Sequence, residues 1–77
     1  MNTPTINLSM TGANINSFRK KANMTVRDIQ KIFGFSTPQA IYKWIHGKSL
    51  PSIDNLLILA DVFDVSIEDI LSVDYNQ

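Results

Sequence analysis

The chain has no cysteine, which removes disulfides and thiolate metal sites and fits a reducing compartment. It has a single histidine, and its three glycines form no phosphate-cradling loop. Its acids fall at helix starts and in loops, where capping accounts for them. Nothing assembles a nucleophile, a base or a metal cage, so the chain is not read as an enzyme and no cofactor or metal is expected. No apolar run approaches the ~20 residues needed to cross a bilayer, so a membrane is not an expected partner. The first ten residues carry no positive charge and no continuous apolar core, unlike a signal peptide. The default location is cytoplasmic.

What is present is a small globular composition. The 77 residues are 44% hydrophobic and 18% charged, enough for one domain. A chain of this length buries only about 60% of its unfolded surface, so the core is thin. The formal net charge is zero, but the charges are segregated. Residues 1–48 hold all the bases (Arg19, Lys20, Lys21, Arg27, Lys31, Lys43, Lys48) against one acid, Asp28, a net of +6. Residues 49–77 hold Asp54, Asp61, Asp64, Glu68, Asp69 and Asp74 with no base, a net of −6. Segregation of this kind gives a basic face suited to a polyanion and an acidic face turned from it.

Periodicity predicts helices throughout. Residues 1–10 alternate apolar and polar only weakly, as a flexible or extended arm, and 73–77 form a tail; the domain proper is 11–72. A first helix over about 13–22 puts Ile15, Phe18 and Ala22 on one face, and Asn23 suits the left-handed position that stops it. A second helix starts at Thr25, with Asp28 completing a capping box and Met24 and Ile29 a hydrophobic staple. Its buried stripe reads Ile29, Ile32, Phe33, and Gly34 ends it. A third has Thr37 as cap and Pro38 as first residue, turns Ile41, Trp44 and Ile45 inward, and stops at Gly47. A fourth runs from a Ser52 cap to about Phe63 on Leu56, Leu59, Ala60 and Phe63. A fifth opens with the Ser66/Asp69 capping box and fades after Leu71. Five short helices with loops of two to five residues predict an all-α fold with no room for a sheet.

The second and third helices, joined by the tight turn Gly34-Phe35-Ser36, form a helix-turn-helix over residues 25–46. Here the sequence resembles the Cro/C1-type (XRE-like) helix-turn-helix family, over residues 12–71. The resemblance is carried by Ile15, Phe18-Arg19, Met24-Thr25, Ile29, Ile32-Phe33-Gly34, Ile41, Trp44, Gly47, Leu50-Pro51-Ser52, Leu56, Leu59-Ala60, Val65-Ser66-Ile67 and Ile70-Leu71. It implies a compact five-helix, lambda-repressor-like domain whose third helix lies in the major groove of double-stranded DNA. It further implies a homodimer, at least on DNA, facing an inverted-repeat operator, in a transcriptional regulator acting as a repressor. On that mapping Pro38, Gln39, Ala40 and Lys43 face the bases. A carboxamide at Gln39 bonds adenine N6 and N7, Lys43 reaches guanine or a phosphate, and Ala40 is small enough for a thymine methyl. Thr25, Arg27, Lys31, Tyr42 and Lys48 are the phosphate contacts.

The sequence departs from the family in four places. Val26 stands where a phosphate-clamping glutamine is common, and Gln30 where a small residue is. Ile45 and His46 replace the acid that pairs with the first helix's arginine, leaving Arg19 to another partner, to phosphate or to solvent. The turn is one residue longer, with Ser36 before Thr37. Ile58 and Val62, one turn apart on the fourth helix and off its core stripe, form a possible dimer patch, with ordinary core burial as the other reading. The acidic half also admits a second function, a protein-interaction module (antitoxin-like or a co-regulator) using the same scaffold on a protein partner.

Overall fold

The computed structural model describes residues 3–76; the outermost residues of the expected arm and tail, 1–2 and 77, lie outside them. The order is β1 (Thr3–Ile6), α1 (Leu8–Lys21), α2 (Val26–Phe33), α3 (Gln39–Ile45), α4 (Ile53–Phe63), α5 (Ile67–Ile70) and β2 (Val73–Asn76).

Local chemistry sets the helix limits. Thr25 accepts from the Asp28 amide at 3.0 Å and the Asp28 carboxylate takes the Thr25 N–H at 2.8 Å; Ser66 and Asp69 repeat this at 3.1 and 3.0 Å. The Thr25 N–H, and after it the Thr25 hydroxyl, donate to the Asp28 carboxylate and hold that carboxyl below its ordinary range. The box is therefore complete at neutral pH and is lost only in acid, as the pH falls through that lowered value. Gly34 and Gly47 end α2 and α3 at φ +69°, and Asn23 follows α1 at φ +55°. The core is Ile15, Ile29, Ile41, Trp44, Leu56, Leu59, Ala60, Phe63 and Ile70, drawn from all five helices.

The structure corrects four expectations. The fold is mostly helical rather than all-α: β1 and β2 form a two-stranded antiparallel sheet pairing Thr3 with Asn76, Pro4 with Tyr75, Thr5 with Asp74 and Ile6 with Val73. Its partners are some seventy residues apart, beyond the reach of local periodicity. The first helix starts at Leu8, not near residue 13, because Asn7 caps it by accepting from the Met10 amide at 2.9 Å. Pro38, not Thr37, is the N-cap of α3, with no side-chain cap bond. Ile32 is 48% exposed, because α2 buries only the stripe through Ile29.

Helix α1 underpins α3. Thr11 is buried, and its hydroxyl oxygen accepts from the Ser72 amide at 2.9 Å. One turn on, Asn14 donates to the Ile70 carbonyl at 3.0 Å. Gly12 lies against the last carbonyls of α3, where an added Cβ would sit 2.3 Å from the Trp44 oxygen. At Gly47 an added Cβ would sit 2.8 Å from the Ser9 Cα. The first two turns of α1 thus form the seat for the C-terminal end of α3.

Candidate nucleic-acid interface

The turn between α2 and α3 is held by one side chain and three rings. Gln30 brackets Phe35: its carbonyl accepts the Phe35 N–H at 3.1 Å, and its carboxamide donates to the Phe35 carbonyl at 3.1 Å. Phe33 and Phe35 stack at 5.1 Å, and Trp44 meets them edge-on at 5.5 and 6.0 Å. These contacts tie α3 to the end of α2 and fix which way it faces. Gln30 is therefore a brace for the turn.

Burial divides α3 cleanly. Ile41 and Trp44 lie in the core at 0% and 5% exposure, while Gln39, Tyr42 and Lys43 are exposed. Ile45 is half-buried and packs against the core, as expected of an inward residue. Pro38 and Ala40 are half-buried, and Ala40 also touches the core. The ring of Tyr42 stacks on His46 one turn on, at 5.9 Å, so the face offers an amide, a cation and a supported phenol. Thr25, Arg27, Lys31 and Lys48 are all exposed. The Thr25 hydroxyl serves the cap on both sides, accepting from the Asp28 amide and donating to the Asp28 carboxylate. Its neighbour Asp28 stays ionised, a negative charge at the start of α2 that any anion there must tolerate.

Arg19 finds a partner inside the domain. Its guanidinium donates to Asn16 Oδ1 at 3.0 and 2.8 Å and to the Met24 carbonyl at 2.8 Å, which fastens the end of α1 to the entry of α2. On α4, Ile58 is 40% and Leu57 55% exposed, whereas Val62 packs against the core. Of the two-residue patch, Ile58 alone presents substantial surface.

Sequence reasoning missed Gln30, the Tyr42–His46 stack and the seat at Gly12. The first two had a faint signal in their spacing of five and four residues. Gly12 had none, because its neighbours belong to another helix. No cluster of three or more His, Cys, Asp or Glu occurs among the described residues, and no described helix is long and apolar enough to cross a membrane.

The chain resembles two solved structures of one DNA-binding domain. A crystal structure of the DNA-binding domain of BldD matches with a TM-score of 0.72 at 18% identity, covering 86% of this chain and 94% of that one. The S. venezulae BldD DNA-binding domain gives the same score and identity over 86% and 97%. At that identity the likeness speaks for the fold. No curated protein matches the chain. The helix-turn-helix family model matches residues 15–70, most of the chain, from the second half of α1 to the end of α5. By that match the chain belongs to the Cro/C1-type (XRE-like) helix-turn-helix family.

Proposed function

We propose that the protein binds double-stranded DNA sequence-specifically, with α3 in the major groove, and regulates transcription. The observation that carries this is the division of α3. A rigidly braced helix turns Gln39, Tyr42 and Lys43 to solvent, while the exposed cations Arg27, Lys31 and Lys48 come from α2 and the loop after α3. Family membership and the fold shared with a DNA-binding domain support the same reading.

Gln39, at the first turn of α3, reads an adenine edge through its carboxamide. Lys43, one turn on, contacts guanine or a phosphate. Pro38 and Ala40 set the close approach of the helix start, and Ala40 meets a thymine methyl. Arg27, Lys31 and Lys48, with Thr25 and the hydroxyl of Tyr42, hold the phosphates and fix the register. Two copies occupy an inverted-repeat operator in the cytoplasm. Repression by occupancy needs no surface beyond this reading head.

Selection of bound duplexes from a random pool at moderate salt tests the reading. Recovery of an inverted repeat is the expected result. Recovery of a single half-site removes the pairing, and no enrichment removes the function. A second reading, a module for a basic protein partner, is favoured by α4, where exposed Ile53, Leu57 and Ile58 lie among Asp54 and Asp61. It predicts that failed selection is accompanied by capture of a cationic protein.

A further inference from the structure

The two strands have a property that the helical core does not explain. Cross-strand partners share a face of a sheet, and neighbours along a strand alternate. The observed register therefore puts Pro4, Ile6, Val73 and Tyr75 together on one face and Thr3, Thr5, Asp74 and Asn76 on the other. The polar face is satisfied internally: Asn7 donates to the Asp74 carboxylate at 3.0 Å, and Asn76 donates to the Thr5 hydroxyl at 3.2 Å. None of the apolar face packs against the helical core. Ile6 is 41%, Val73 44% and Tyr75 68% exposed, and Leu8 continues the strip at 39%. A two-stranded ribbon with one bare apolar face is marginal by itself in water.

We propose that this face is where two copies of the chain pair, ribbon stacked on ribbon about 10 Å apart. Charge selects the occupant. The ribbon carries no base, and its one acid, Asp74, lies on the opposite face bonded to Asn7. A nucleic acid or a strongly charged partner finds no complement there. A second copy does, and two chains of zero net charge approach without net repulsion. The exposed face of α4 is a poorer choice, because pairing it with its copy brings Asp54 and Asp61 against their own kind.

Each face is only four residues, small against the ~1,200 Å² that a stable interface buries. The pairing is therefore weak in free solution and becomes effective when one duplex holds both copies at millimolar effective concentration. The ribbon leads directly into the first turn of α1, which abuts Gly47 at the end of α3. The pairing surface stands on ribbon geometry; only its use on an operator rests on the DNA-binding reading.

Sedimentation equilibrium of the full chain without DNA, up to about 1 mM, tests the proposal apart from that reading. The wild type is expected to associate reversibly within that range. Backbone amide shifts of Ile6, Val73 and Tyr75 should move with concentration. Tyr75→Lys should weaken association at least about tenfold. Thr3→Lys adds the same charge to the polar face of the same ribbon and, like Ile58→Asp, should leave it within about twofold. A monomer throughout, an equal loss in Thr3→Lys and Tyr75→Lys, or a loss confined to Ile58→Asp would each overturn it.

Discussion

Replacing Gly12 by Ala is expected to destabilise the protein by about 3 kcal/mol and to lower its Tm by roughly 12–24 °C. At most helix positions the same change is favourable by about 1 kcal/mol. Here the new methyl would lie 2.3 Å from the Trp44 carbonyl oxygen and 2.6 Å from that of Ile45. Both are backbone atoms at the end of α3 and cannot rotate aside. Helices α1 and α3 must separate, which also withdraws the seat of α3. For a domain whose total stability is about 5–10 kcal/mol this is a large fraction. Thermal unfolding followed by circular dichroism reads it directly, and a Tm within a few degrees of wild type would show that α3 is not seated on Gly12.

The second large effect is on affinity. Arg27, Lys31, Lys43 and Lys48 are exposed around α3; on the proposed DNA-binding reading they and the helix and hydroxyl donors make about four to six phosphate contacts per copy. Arg19 is left out because its guanidinium is occupied by Asn16 and Met24. Counterion release then lowers affinity for a single half-site about 150- to 2,000-fold between 50 and 200 mM salt. The six acids of the second half of the chain give the protein no net attraction to DNA from a distance, so close contacts carry the slope. Fluorescence anisotropy of a labelled half-site measures it. A loss of less than tenfold would mean that these cations do not touch the backbone.

The helix-turn-helix was legible in the sequence because its signals are local. The Thr25/Asp28 box, the stops at Gly34 and Gly47 and the buried pair Ile41 and Trp44 each lie within one or two turns of what they control, and all recur in the structure. The ribbon was not legible, because the partners of residues 3–6 lie at 73–76 and either strand alone reads as a short polar-apolar mix. The start of α1 was missed for a related reason. Gly12 looks like a helix breaker until α3 is laid against it, and Asn7 looks like a turn residue until Met10 donates to it. Ile32 shows the converse: an apolar residue at helical spacing is not buried unless something lies opposite. Of the candidate site, the inward turn of Ile41 and Trp44 was readable from periodicity, whereas the outward set came from the resemblance, and Pro38 and Ala40 of that set are half-buried. The Gln30 brace was not readable, since its purpose appears only once Phe35 is folded back against it.

The central claim is that the exposed face of α3 reads base edges, and Gln39 is its sharpest point. Duplex selection repeated with Gln39→Ala tests it most directly. The account predicts a motif relaxed at one or two positions per half-site, by about 1–3 kcal/mol each, with the salt dependence unchanged. A motif identical to that of the wild type would contradict it.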